Sequence, residues 1–365
     1  MVDVHKTVLT GGPCGGKSLA LRFLKAELER RGVGVFIIDE VASRLMDEGK
    51  TPENMGSYGF HSLLFRTQLA EERRMEEAAA KCEKEKAVIL CDRGLLDNKA
   101  YVTEEEFARY SSECGCSENQ ILCSYDAVFH MVTAAKGAEA FYTLKNNPNR
   151  SESLEQARDR DDALLSVWVG TPHLRVLDNR GDFSDKLRRL LEEMLAVLGI
   201  PEPLEIERKF LILYPDIKEL EAMKTCRRVH ISQTYMNTPE EGRFRVRQRG
   251  EGEQAVYIKT QKRKLTEMKR VEIEKYISKE EYNNYISKKE YTNGSISKDR
   301  YCIVWHSAYY ELDVFPFWNR FALLEIELLR EDQPFELPDF VTVLREVTME
   351  KAFRNKSLAL TYGEK

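Results

Sequence analysis

Eight consecutive residues, Gly11-Gly12-Pro13-Cys14-Gly15-Gly16-Lys17-Ser18, carry the sharpest chemical signal in the chain. Their spacing is GxxxxGK[ST], set between an apolar segment and a helical one, which is the context that gives the pattern meaning. Glycines let backbone N–H groups turn toward phosphate oxygens, and the amides and dipole of a helix start favour an anion. Lys17 would then reach the outer phosphates of a nucleotide, and Ser18 would ligate Mg2+. A second apolar run, Val88-Ile89-Leu90-Cys91, ends in Asp92, a carboxylate suited to hold Mg2+ or its water.

The other chemistry-bearing pattern lies beyond residue 204 and has a period of two. Glu205, Glu207 and Lys209 share one face of an extended segment, as do Arg243, Arg245 and Arg247. Arg270, Glu272 and Glu274 alternate with apolar residues, and so do Glu311 with Asp313 and Glu325 with Glu327. Lys259 stands between Ile258 and Thr260. Short strands that close on themselves would enclose the charged faces. Carboxylates hold hard divalent cations, and arginine forks and lysines hold phosphate oxygens, so the combination suits a metal–polyphosphate.

These residues need elements to position them. Residues 6–200 alternate strands (Thr7–Thr10, Val33–Ile38, Ala87–Cys91, Ala127–Val132, Leu174–Leu177) with helices (Ser18–Arg31, Phe60–Lys86, 184–198). That alternation implies a mainly parallel sheet covered by helices. Gly199, Pro201 and Pro203 mark a linker. Period-2 segments follow at 205–213, 230–237, 242–249, 254–262, 269–277, 300–306, 309–315 and 322–329, with helices at 216–224, 278–286 and 349–360. The expected fold is therefore an α/β P-loop domain over 1–200 and an antiparallel barrel with flanking helices over 204–365.

Asp92-Arg93-Gly94 resembles the acidic-Arg-small motif of P-loop kinases of nucleosides and nucleotides. That resemblance implies roles for further residues. Asp39 and Glu40, after the second strand, would sit near an acceptor hydroxyl, with Glu40 and Asp92 as catalytic candidates. Arg93, Arg150, Arg158 and Arg160 would contact phosphates, the last three from a lid. A solvated helix face is the ordinary alternative for such a charge run.

The opening EIERKF resembles the ExExK signature of the CYTH superfamily, the triphosphate tunnel metalloenzymes. The rest of the segment follows the family in order: Arg243-x-Arg245, Lys259 with Thr260, Arg270-x-Glu272-x-Glu274, Lys298-x-Arg300, Glu311-x-Asp313, Glu325-x-Glu327 and Lys351. The resemblance implies an eight-stranded antiparallel tunnel that acts on inorganic triphosphate, thiamine triphosphate or nucleoside triphosphates. Glu205, Glu207 and Lys209 are its catalytic candidates. Glu205, Glu207, Glu272, Glu274, Asp313, Glu325 and Glu327 would hold metal or orient water, while Lys209, Arg243, Arg245, Lys259, Arg300 and Lys351 would hold phosphates. Arg227 and Arg228 are of undecided facing. A P-loop domain joined to such a tunnel is similar to a eukaryotic GTP- and phosphoinositide-binding protein and to plant tunnel proteins with a uridine-kinase-like domain.

Bulk properties narrow the function classes. Hydrophobic residues at 42% allow real cores, and the net charge of −5 gives no pull toward nucleic acid. Lys+Arg against Asp+Glu stands at 27 to 33 over residues 1–200 and 29 to 28 over 201–365, so the second half is balanced. Eight cysteines without a CxxC pair suggest reduced thiols, and no apolar run reaches the ~18 residues of a membrane span. A cytoplasmic protein is expected.

The leading expectation is a Mg2+- or Mn2+-dependent triphosphate phosphohydrolase beside an ATP- or GTP-binding domain. One alternative is a nucleotide-regulated module that binds polyphosphate or phosphoinositide without turnover. Another is a small-molecule kinase coupled to the hydrolase. No NKxD-type guanine motif is evident, which favours ATP or promiscuity.

Overall fold

The protein is described by a computed structural model covering residues 2–142, 153–201, 206–264 and 270–363, with backbone alone at 262–264 and 270–273. Arg150 and Glu205 lie outside the described residues, as does the side chain of Glu272. Two compact units divide the chain, Met1–Leu198 and Gly199–Lys365.

Among the described residues the first unit holds five strands: β1 (Asp3–Thr10), β2 (Gly34–Ile38), β3 (Lys86–Asp92), β4 (Ala127–Met131) and β5 (Leu174–Leu177). They pair in parallel in the order β2-β3-β1-β4-β5. Apolar runs such as Ala87–Cys91 are wholly buried, as strands covered on both faces must be. The helices are α1 (Lys17–Arg30), α2 (Val41–Asp47), α3 (Pro52–Met55), α4 (Ser57–Ala79), α5 (Glu104–Glu113), α6 (Glu118–Leu122), α7 (Leu154–Trp168) and α8 (Phe183–Val197). The long helix expected through Lys86 stops at Ala79, and β3 begins at Lys86. Strand β1 feeds α1 through the glycine-rich loop at the carboxyl edge of the sheet, where α/β folds bind ligands.

Among the described residues the second unit carries nine strands: β6 (Ile206–Leu213), β7 (Cys226–Thr238), β8 (Gly242–Arg249), β9 (Val256–Lys264), β10 (Arg270–Ile277), β11 (Thr292–Trp305), β12 (Ala308–Val314), β13 (Phe321–Leu328) and β14 (Val343–Glu346). Every pairing is antiparallel, in the order β10-β9-β8-β7-β11-β12-β13-β6-β14. The eight period-2 segments are β6 to β13. The ninth strand, β14, adds to β6 and is only four residues long, too short to show a period.

Helices α9 (Ile217–Ala222), α10 (Lys279–Ser287) and α11 (Asn355–Tyr362) flank this sheet. Register places Lys209, Glu325, Asp313 and Arg300 on one face of neighbouring strands. That face turns inward, because Lys209, Arg249, Lys298, Arg300, Asp313 and Glu325 are all buried. At one end it becomes apolar: Leu211, Ile296, Phe315 and Leu323 pack on Leu358 and Ala359 of α11. On the other face, Phe244, Val246, Tyr257 and Tyr282 form a separate core, with Tyr285 and Ile286 of α10 packed against it. No described helix in either unit is long and apolar enough to cross a membrane.

Candidate functional site

The glycine-rich loop is shaped by contacts that leave no room for side chains. Gly11 has φ 126°, and an added Cβ would collide with the Met131 carbonyl of β4. Gly16 has φ 88° and lies under the Phe183 ring, which a Cβ would strike. Lys17 opens α1, is buried, and donates to the carbonyls of Gly11 (2.8 Å) and Gly12 (3.1 Å). Burial and then the neighbouring Arg93 guanidinium draw its pKa down to about 8.

Parallel pairing sets Leu9 beside Asp92, which brings the carboxylate to the start of this loop. Asp92 has a buried Oδ1 without a hydrogen-bond partner. Burial lifts its pKa to about 6, with the Lys17 ammonium pulling the other way. A buried, unsatisfied carboxylate oxygen beside a phosphate loop fits a hard cation such as Mg2+. Ser18, the other ligand expected there, is exposed at the helix start.

Arg93 holds a left-handed φ of 77°, unusual for a residue other than glycine. Its backbone is pinned on both sides: its N–H donates to Leu9 O (3.0 Å), and its carbonyl accepts from Gln68 (2.8 Å). The guanidinium donates to Glu40 (2.9 Å) and to Gly11 O (3.3 Å). The other Glu40 oxygen accepts from Ser43 (2.7 Å). Burial raises the Glu40 pKa, but Arg93, Ser43 and Lys17 outweigh it and hold the carboxyl at about 2. Both Glu40 oxygens are thus engaged by protein groups, and Asp39 is exposed.

Arg158 and Arg160 reside on α7 and are directed at protein partners. Arg158 reaches Ala135 O (2.6 Å) and Glu139 (3.1 Å). Arg160 reaches Ala100 O (2.8 Å) and stacks over Tyr101 at 4.1 Å.

The residue of α7 that touches the loop is one the sequence reading passed over. Asp161 is buried, and its Oδ1 accepts from the N–H of Gly12 (2.8 Å) and of Thr133 (3.0 Å). Its Oδ2 accepts from Lys136 (2.9 Å), and His130 Nε2 lies 3.2 Å from Oδ1. Burial opposes its charge, yet His130, Lys136 and the Gly12 amide hold the carboxyl below the usual range. A signal did exist: Ala157, Asp161, Leu164 and Trp168 form one buried stripe at helical spacing, and a carboxylate on such a stripe must have partners.

In the second unit, Lys209 bridges Glu207 (2.9 Å) and Glu325 (2.7 Å). Arg300 makes a bidentate pair with Asp313, both contacts 2.7 Å, and reaches Glu325 at 3.0 Å and also Glu311. Lys298 completes the cluster on Asp313. Burial and the adjacent Arg300 pull Lys298 down to about 8 in spite of that pairing. Burial, reinforced by the Glu325 charge, pushes the Glu207 carboxyl up. Two carboxylates that repel each other around one lysine suit an added cation. Among the described residues no group of three or more His, Cys, Asp or Glu side chains gathers as a metal site.

The expected phosphate ligands separate into different environments. Arg245 contacts Thr260 (3.3 Å) and Glu274 (3.3 Å). Its neighbour Arg247, not assigned a role from sequence, has a buried Nε without a hydrogen-bond partner. Burial and Arg245 draw its pKa down to about 10. Arg300 has its donors committed to carboxylates, so it orders the acidic groups. Lys259 differs from expectation: it pairs in register with Val246, placing it on the outer face. There it lies over Phe244 (4.6 Å) and Tyr285 (4.8 Å) and pairs with Glu241. The register of the β8–β9 hairpin puts Thr260 opposite Arg245 instead, a one-residue difference that flips every side chain. Arg243, Glu327 and Lys351 are exposed, and Arg228 pairs with Asp299 at 3.1 Å.

Comparison with known proteins gives two family matches: the AAA domain over residues 6–186 and the CYTH domain over 203–351. No curated protein matches the chain. Similar solved structures include one described as the inorganic triphosphatase NE1496, 30% identical, spanning 44% of this chain and 97% of that one, with a TM-score of 0.31. Another, described as the hypothetical protein NE1496, is 31% identical over 43% of this chain and 98% of that one, also with a TM-score of 0.31.

Proposed function

Because the chain is a fusion of an AAA domain with a CYTH domain, we propose that its second unit hydrolyses triphosphates with a divalent cation and that its first binds ATP or GTP. The observation that carries this is the buried cluster in which Glu207 and Glu325 flank Lys209 while Arg300 ties Glu325 to Asp313 and Glu311. A receptor for a bare anion would gain nothing from carboxylates, which repel phosphate. A Mg2+ or Mn2+ ion held by Glu207 and Glu325, with Glu205 two residues before Glu207 in the sequence, would neutralise phosphate charge and acidify a bound water.

The protein's own groups do the positioning. Lys209, Arg245 and Arg247 present donors to phosphate oxygens, and charge-assisted contacts of this kind are the strong ones. Arg300 and Lys298 keep Asp313 and Glu325 ionised and in place. The water oxygen bonds to the terminal phosphorus and the bridging P–O bond breaks. Orthophosphate and the shortened diphosphate leave, and the water proton passes to a basic group or solvent. Donors fixed before the reaction need no reorganisation as charge develops.

In the first unit, Lys17 and the loop amides would hold the nucleotide phosphates, with Asp92 toward Mg2+. A cytoplasmic setting belongs to this reading. The test is phosphate release from inorganic triphosphate, ATP, GTP and thiamine triphosphate, with Mg2+ or Mn2+ and with EDTA. Metal-dependent turnover of at least one is expected. Binding without turnover of any would replace this reading by the receptor.

A further inference from the structure

Arg243 shares a strand face with Arg245 but not its surroundings. Two residues apart in β8, the pair stands about 7 Å apart along the strand. Arg245 contacts Thr260 and Glu274, whereas Arg243 is exposed and pairs in register with Asn237 of β7. Here the interior meets α11. The apolar side of that helix, Leu358 and Ala359, closes on Leu211, Phe315 and Leu323. Its other side presents Lys356 and Leu360, one turn apart, to a cavity of about 210 Å3. Asn237, Arg243 and Asn293 complete the lining.

The chemistry of this cavity is narrow. It offers one guanidinium, one ammonium and two amides, with no carboxylate and no aromatic ring among its five lining residues. Among the described residues, neither Arg243 nor Lys356 has an ion-pair partner. Two unneutralised cations at one concave site suit an anion with several oxygens, which arginine grips in a fork and lysine as a point charge. The volume corresponds to roughly seven waters at ~30 Å3 each, room for a hydrated phosphate group. A nucleobase would find no ring to stack on.

We propose that the Arg243–Lys356 cavity is a subsite for a phosphate beyond the three held farther in, so that inorganic chains of four or more phosphates are the preferred substrate class. This rests on the triphosphatase reading of the same interior. Arg243 then belongs to a distal position in line with Arg245 and Arg247, and Lys356 is its partner from α11. A nucleoside triphosphate, whose chain ends in a sugar, leaves the subsite unused.

The test uses the full chain with inorganic triphosphate, inorganic tetraphosphate and ATP, following phosphate release with Mg2+ and binding by calorimetry. Lys356→Ala should raise KM and Kd for tetraphosphate about tenfold while changing triphosphate and ATP less than twofold. Lys356→Arg should restore the tetraphosphate values. Equal effects on all three ligands, or none on tetraphosphate, would overturn the subsite. If the wild-type chain turns over none of them, the hydrolase reading fails. Calorimetry then decides the subsite separately: tetraphosphate bound more tightly than triphosphate, with the difference lost in Lys356→Ala, sustains it, and no difference removes it.

Discussion

In the first unit the groups proposed to meet phosphate are backbone amides and one lysine, and the charged side chains nearby serve mostly to hold backbone. Asp161 accepts from Gly12 N–H, and Arg93 donates to Gly11 O and to Glu40. In the second unit the relation is reversed. A regular sheet supplies the backbone, and the site consists of side chains that neutralise one another, with Arg300 on three carboxylates and Lys209 on two. A site made of amides is insensitive to pairing but demands a contorted loop. One made of paired charges tolerates ordinary backbone, yet each member depends on its partners for its ionisation. Losing a group that several partners share should therefore cost folding in the second unit, whereas losing Lys17 in the first should chiefly cost ligand affinity.

The largest effect expected is from Arg300→Ala. It strips Asp313 of a bidentate partner and Glu325 and Glu311 of a shared one, leaving buried carboxylates uncompensated at a cost of about 3–5 kcal/mol. Urea unfolding of the full chain reads this as an early transition of the second unit. A loss below about 1 kcal/mol would mean the cluster is well solvated and the contrast false.

Next comes Lys17→Ala, which should weaken ATP or GTP binding by about 2–3 kcal/mol, roughly 30- to 150-fold in Kd. Folding should be kept, since Lys17 donates only to two loop carbonyls. Calorimetric titration with both nucleotides measures it. Unchanged affinity for both would leave the loop without its assigned ligand.

Asp161→Asn sharpens the comparison, because Asp161 is a buried side chain of the first unit that depends on partners as those of the second do. Loss of charge-assisted hydrogen bonds should cost about 1.5 kcal/mol. The folded carboxyl sits below its ordinary pKa of 3.8, so its contribution is present above that value and fades as pH falls below it. Wild-type stability should thus fall more steeply than that of the variant below about pH 4. Melting curves between pH 3 and 7 decide, and parallel curves would contradict the assignment.

Smallest in stability is Arg247→Met. Replacing a guanidinium whose buried Nε lacks a partner by an apolar chain of similar length should leave the melting temperature unchanged or raised. KM for triphosphate should nonetheless rise about tenfold, the loss of one charge-assisted contact. A destabilised variant with normal KM would make Arg247 structural.

How far these sites can be read from sequence follows from how they are built. The loop is eight contiguous residues, so spacing alone reveals it, along with the strand and helix that flank it. The interior is legible wherever alternation is unbroken: Glu207 and Lys209, Arg245, Asp313 and Glu325 do face inward together. It fails where a hairpin sets register, because the turn between β8 and β9 decides whether Lys259 or Thr260 faces Arg245. Asp161 was hidden by its neighbours, since Arg158-Asp159-Arg160-Asp161-Asp162 reads as a solvated run although one member lies on a buried stripe. The short β14 offers too few residues for a period, and it is found only through its pairing to β6.

The central claim is that carboxylates in the second unit serve a cation in triphosphate hydrolysis, and Glu207→Gln tests it most directly. Glu207 pairs with Lys209 and feels Glu325, so an amide of equal size keeps the packing while removing the charge a hard cation needs. Phosphate release from inorganic triphosphate by the full chain, with Mg2+ or Mn2+ and with EDTA, should be metal-dependent in the wild type. In the variant kcat should fall by about a hundredfold or more at an unchanged melting temperature. Wild-type rates in Glu207→Gln, or turnover that survives EDTA, would contradict the account.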